Sequence, residues 1–186
     1  IDRSRGLGDV YKRQGYDIAC AQSDGPILYQ RNTDGPNWSP IQFYPNFHEE
    51  LFFVHLNKKT NSRKAIEDYN AKKPHSPEVI SAISDISSQM TVAKSGTDFR
   101  FLMNSHETIV GRELGYQPVK EKFFSDFDGS IKSLGAWGGD FILCSTERGS
   151  KYVEEYFVEK GNKVVIPYKE LILKQEEEQA TNKSVH

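Results

Sequence analysis

Apolar residues fall in short runs separated by polar, glycine- and proline-marked breaks, and the spacing inside each run predicts its element. Gly15 to Gln22 predicts a short helix with Asp17 in its first turn, where a carboxylate suits the positive end of the helix dipole. Ile27 to Arg31 reads as a strand, and Trp38 to Tyr44 alternates loosely as its partner across the turn Asn32–Asn37. Leu51 to Leu56 is an apolar run of strand length. A polar loop follows over 57–61, and Ser62 caps an expected helix to about Asn70, broken by Lys72-Lys73-Pro74-His75. Ser76 and Pro77 occupy the cap and first-turn positions of the next helix. Its Val79, Ile80, Ile83, Ile86, Met90 and Ala93 keep helical spacing, and Gly96 is expected to end it. Asp98 opens another, with Phe99, Leu102, Met103, His106, Ile109, Val110 and Leu114 on one face and Gly115 as its stop. Pro118 to Phe127 predicts a short helix. Strands at Ile131–Leu134 and Phe141–Cys144 flank a glycine-rich loop. An amphipathic helix at Ser150–Lys160 and a strand at Lys163–Tyr168 complete the pattern.

From Leu51 the order is strand, helices, strand, strand, helix, strand. That is a split β-α-β arrangement of the ferredoxin-like type with extra helices, an α+β fold with helices expected on one face. The helix and hairpin before it form a separate piece. The expected organisation is therefore 15–48, then 49–173, with a polar, disordered tail over 174–186.

Composition narrows the function classes. The 186 residues carry a net charge of −2, which gives no electrostatic reason to expect nucleic acid. No run approaches the roughly 20 apolar residues of a membrane helix, and no signal peptide is visible, so a cytoplasmic protein is expected. The two cysteines, Cys20 and Cys144, lie in no CxxC or Cys/His cluster; a disulfide framework or zinc site is not expected, and both read as buried small hydrophobes. No metal-ligand spacing occurs among the dispersed histidines, and His106 on an apolar face reads as a core or pocket residue. Residues 1–14 set Arg3, Arg5, Lys12 and Arg13 against Asp2 and Asp9, and GLGDVYKRQ resembles translated sequencing-adapter read-through. The segment is set aside from fold reasoning.

Two motifs carry candidate chemistry. Gly15-Tyr16-Asp17-Ile18-Ala19 stands near the start; Lys132-Ser133-Leu134-Gly135-Ala136-Trp137-Gly138-Gly139-Asp140 stands about 120 residues later. Glycines at the second let backbone approach a ligand without a β-carbon clash, and consecutive exposed N–H groups bind anions. Its spacing is not that of a dinucleotide fingerprint. In this order the motifs resemble those of the GHMP small-molecule kinases, the superfamily of galactokinase, homoserine kinase, mevalonate kinase and phosphomevalonate kinase. The resemblance runs from about Gly15 to Leu173. It implies that Asp17 is the catalytic base or orienting group for an acceptor hydroxyl. It also implies that Lys132, Gly135, Ala136, Trp137, Gly138 and Gly139 shape the phosphate and substrate loop. Leu134 stands where that family has a hydroxyl residue, and Trp137 where it has a glycine; the indole would wall the substrate pocket.

The resemblance further implies ATP and Mg²⁺ as cofactors and a small alcohol or phosphorylated alcohol as acceptor, mevalonate or phosphomevalonate being the best match. Tyr16, Thr60, Asn61 and Ser62 are candidate pocket residues, though loop 57–62 reads equally as a solvated loop with a helix cap. The family's phosphate loop, Pro-x3-Gly-Leu-Gly-Ser-Ser, is not matched by Gly6-Leu7-Gly8: no proline precedes it, and Asp9 would repel a triphosphate. The chain is accordingly expected to be a C-terminal piece of such a kinase and inactive by itself. The alternatives are a non-catalytic small-molecule binder and an interaction domain of ferredoxin-like fold.

Overall fold

A computed structural model of the chain describes residues 15–32, 34–57, 76–135 and 140–172. They fall into two units, one containing residues 15–44 and the other Pro45–Leu171.

The first unit is a helix and a hairpin. Helix α1, Tyr16–Ala21, begins at Gly15, whose φ of 81° is left-handed and favours glycine. Strands β1, Ile27–Asn32, and β2, Gly35–Pro40, pair antiparallel with Asn32 opposite Gly35 and Ile27 opposite Pro40. The turn is thus tighter than Asn32–Asn37, and the second strand starts earlier than Trp38. Pro36 is admitted because each strand of a two-stranded sheet is an edge. The Tyr16 and Tyr29 rings meet edge-on at 6.4 Å, joining helix to hairpin.

In the second unit, β3, Leu51–His55, is followed by α2, Pro77–Thr91, α3, Gly96–Leu114, and α4, Val119–Phe123. Then come β4, Ser130–Ser133, β5, Phe141–Ser145, α5, Gly149–Glu159, β6, Val165–Pro167, and α6, Tyr168–Leu171. The sheet order is β4-β5-β3-β6, with every neighbour antiparallel. Strand β5 lies between β3 and β4, and β3 lies between β5 and β6. Each β-α-β unit is therefore split by a strand of the other, which is the α+β, ferredoxin-like arrangement expected.

Pleating decides the core. Phe52 and Val54 of β3, Ile142 and Cys144 of β5, and Ile131 of β4 share one buried cluster with Val153 and Phe157 of α5. Val119, Phe124 and Phe127 join it from α4 and the segment after it. The helix expected over Pro118–Phe127 stops at Phe123; Phe124 and Phe127 fill the core from outside helical geometry. Cys144 is buried as expected, but Cys20 is exposed: α1 buries Ala19 and turns the next residue to solvent.

The role expected of Gly96 is reversed. Helix α2 ends at Thr91, and Gly96 is the first residue of α3, capped by the Ser95 hydroxyl, which accepts from the Asp98 N–H at 3.1 Å. A β-carbon at Gly96 would lie 1.9 Å from Glu50 Oε2, so the Glu50 carboxylate packs against the glycine at the start of the helix and would have to shift for a larger residue. Gly115 does end α3, in the left-handed conformation at φ 66°. Helix α3 runs beside the edge strand β4 and meets Ser130 and Lys132 from one pleat face and Ser133 from the other.

Candidate functional site

The connection from β4 to β5 is the glycine-rich segment. Its near end is fixed by the Leu134 N–H donating to Phe141 O at 3.2 Å, and its far end by the Leu56 N–H donating to Asp140 O at 2.7 Å. Gly135 turns out of the strand with φ 63°, exposed, with open space where a β-carbon would sit. Ala136, Trp137, Gly138 and Gly139 lie outside the described residues, as do Thr60, Asn61 and Ser62 and the side chain of Asp17. Asp17 belongs to the first turn of α1, as its position after Gly15 predicts, and Tyr16 beside it is exposed.

Lys132 is turned towards α3. Its Nζ lies 3.2 Å from His106 Nδ1, 3.4 Å from Ser133 O and 3.7 Å from Glu107 Oε1. The Ser133 hydroxyl donates to Glu107 Oε2 at 2.8 Å. Glu107 therefore holds two successive residues of β4. It is itself 4% exposed, and a buried carboxylate needs this compensation. Helix geometry places it there: Glu107 is four residues after Met103 and three before Val110, both on the buried stripe of α3.

The electrostatics follow from these contacts. Burial pushes the Glu107 carboxyl up, but the His106 ring, the Lys132 charge and the Ser133 bonds outweigh it and leave the group below its ordinary value. Burial pulls Lys132 down, against the opposing charge of Glu107. Tyr116 is pushed up by burial and by the Glu107 charge. Glu107 Oε1 and the Tyr116 hydroxyl are buried without a hydrogen-bond partner; the Lys132 and His106 nitrogens stand at 3.7 and 3.8 Å from Oε1, beyond hydrogen-bond length.

The same end of the sheet carries a cavity of about 390 Å³ between the end of β3, α4 and the α5–β6 turn. Leu56, Phe123 and Phe124 supply apolar surface, and Asn57, Lys160 and Asn162 supply polar groups. Its amides are engaged: Asn57 Nδ2 donates to Gly161 O at 3.3 Å, and Asn162 Nδ2 to His55 O at 3.2 Å. Lys160 pairs with Asp126 at 3.1 Å. Among the described residues, no group of three or more His, Cys, Asp or Glu is placed to hold a metal ion, and no helix is long and apolar enough to cross a membrane.

Of the expected loop residues, Lys132 meets the α3 pair His106 and Glu107, and Gly135 is exposed beyond the end of the strand. His106 had been placed on the apolar face; Glu107 beside it had not. A charged residue on a buried stripe was the available signal.

No protein-family profile matches the sequence, and no curated protein matches it. Solved structures do resemble the fold. Leishmania major mevalonate kinase, crystallised with R-mevalonate, matches at a TM-score of 0.50 and 19% identity over 73% of this chain and 44% of that one. The Lin0012 protein from Listeria innocua matches at a TM-score of 0.51 and 14% identity over 71% of this chain and 41% of that one. The chain spans less than half the length of the structures it resembles. At these identities the likeness is one of fold alone.

Proposed function

We propose that this chain is part of an ATP-dependent phosphotransferase acting on a small alcohol or phosphorylated alcohol, with mevalonate or phosphomevalonate the leading acceptors. The observation that carries the reading is the coincidence of fold and motif. Gly135 opens the β4–β5 connection in a fold like that of mevalonate kinase, and Gly15-Tyr16-Asp17 precedes it in the order of that kinase class. The neighbouring cavity fits a small molecule in size.

In this reading, with an alcohol acceptor, the Asp17 carboxylate takes the hydroxyl proton as the new O–P bond forms to the γ-phosphorus and the bond to ADP breaks; with a phosphorylated acceptor the attacking phosphate oxygen carries no proton to remove and Asp17 orients it. In the same reading Gly135 lets the backbone approach the phosphate without a β-carbon clash. The described residues offer no group of three or more carboxylates, histidines or cysteines for Mg²⁺; at kinase sites the ion is held by one or two carboxylates and the substrate phosphates.

The test is ADP release by the protein expressed from its complete reading frame, with R-mevalonate and with phosphomevalonate. Asp17→Asn is expected to lower kcat by at least about 10²-fold while acceptor binding persists. Absence of turnover with either acceptor ends this reading. Binding without turnover would leave a non-catalytic binder, and no thermal shift with nucleotide or acceptor would leave an interaction domain.

A further inference from the structure

We infer that Glu107 is a positioning residue: it fixes the end of β4 from which the chain departs at Leu134 and Gly135. The ligand-binding consequence rests on the phosphotransferase reading; the positioning itself does not. The argument is geometric. Side chains at successive strand positions point to opposite faces, so Lys132 and Ser133 diverge. One carboxylate nevertheless holds both, Oε2 accepting from Ser133 Oγ at 2.8 Å and Oε1 facing Lys132 Nζ at 3.7 Å. A clamp on both faces opposes rotation of the strand about its own axis. It therefore fixes the direction of the next residue, Leu134, whose N–H meets Phe141 O.

The carboxylate is itself fixed. Helix α3 is capped at one end by Ser95 and closed at the other by Gly115, and Glu107 is buried in its middle. His106, one residue earlier, flanks the ammonium beside Glu107, its Nδ1 at 3.2 Å from Lys132 Nζ. Stability alone does not call for such a group, since apolar residues of similar volume replace buried ion pairs without loss in many proteins. What the pair adds is direction, which a ligand-binding turn needs and a core does not.

The purified 186-residue chain decides the matter through three variants: Glu107→Gln, Lys132→Met and the two together. The readout is amide hydrogen exchange at Leu134 against Phe53 and Val54 in the centre of the sheet. In Glu107→Gln, Leu134 is expected to exchange roughly tenfold faster, on the scale of one weakened hydrogen bond, with the central amides unchanged. The double variant is expected to regain thermal stability, because no charge is left bare, but not the protection of Leu134. If Lys132→Met fails to fold, the other two variants carry the test. Unchanged exchange at Leu134, or a rise only in step with Phe53 and Val54, overturns the inference. Calorimetric titration with ATP and with R-mevalonate separates the two readings. A wild-type chain that binds neither weakens the phosphotransferase reading and leaves the exchange result to decide the positioning. A chain that binds, with Leu134 unmoved in Glu107→Gln, ends the positioning and spares the function.

Discussion

Gly129→Ala should be among the most damaging single-methyl additions this chain can receive. Gly129 precedes β4 with φ 155°, and an added β-carbon would lie 2.3 Å from Ser145 O, 2.8 Å from the Phe127 ring and 2.9 Å from Thr146 Cβ. Ser145 is the β5 residue paired with Ser130, so the obstructing carbonyl belongs to the ladder that sets the strand's register. Backbone cannot rotate away as a side chain does. Two effects add: about 1–3 kcal/mol for a side chain held at this φ, and a similar amount for forced overpacking. A loss of roughly 3 kcal/mol is expected, or about 10 °C in Tm for a unit of this size. Gly161 is the control. Its φ is 87°, but nothing lies within 4 Å of its would-be β-carbon, so Gly161→Ala carries strain alone, about 1 kcal/mol. Urea unfolding followed by far-ultraviolet circular dichroism gives both values, compared at a common slope. If Gly129→Ala falls within about 0.5 kcal/mol of Gly161→Ala, the steric argument is wrong.

Three further outcomes are expected. Phe157 is fully buried, with the rings of Phe124, Phe127 and Tyr156 at 5.1–5.3 Å; Phe157→Ala should lose about 4 kcal/mol in the same assay, and a loss under about 1.5 would show the cluster collapsing onto the space. Glu107 titrates below its ordinary value in the folded chain, so the unfolded chain takes up the proton first. Its stabilisation is then present above about pH 4.3 and lost as pH falls below that; Glu107→Gln should flatten this acid limb, and an unchanged slope between pH 3 and 5 would contradict the assignment. Cys20 is exposed and Cys144 buried, with burial pushing the Cys144 thiol well above its ordinary range. A thiol-specific chromogenic disulfide should therefore titrate one cysteine in the native chain and both in urea, and native labelling of a Cys20→Ser chain would refute the placement.

Much of the fold was legible because the deciding signals are local. Ser76-Pro77 and the stripe after it mark α2, and Gly115 closes α3 in the conformation that glycine permits. The strand and helix order from Leu51 gave the split β-α-β topology, because two crossovers sharing one antiparallel sheet interleave in that way. Errors came where a local sign had a distant cause. Gly96 looks like a helix stop, yet it is a helix start, capped by Ser95 and packed against the carboxylate of Glu50, a residue 46 positions earlier. Phe124 and Phe127 extend a helical pattern, but what places them is Phe157 across the core. The hairpin turn was misjudged because Pro36 reads as a strand breaker, which holds only where both edges of a strand are paired.

The site was legible as a motif and not as a set of contacts. Lys132 and Gly135 stand out by their neighbours in sequence, but the direction of the ammonium depends on the register of α3 against β4, and no pattern in either segment specifies it. Glu107 announces only a need, a carboxylate on the stripe between Met103 and Val110 that must meet a cation. With both residues placed, a consequence follows for any anion arriving at the Gly135 end. The Lys132 nitrogen already faces Ser133 O, His106 Nδ1 and Glu107 Oε1. Drawing it away would leave the Glu107 carboxylate buried without its lysine, a loss of about 3–5 kcal/mol when one partner of such a pair is removed. A phosphate contact to a lysine is worth about as much as a charge-assisted hydrogen bond, some 1.5–3 kcal/mol. The exchange is unfavourable, so the lysine is expected to stay with α3 when an anion arrives.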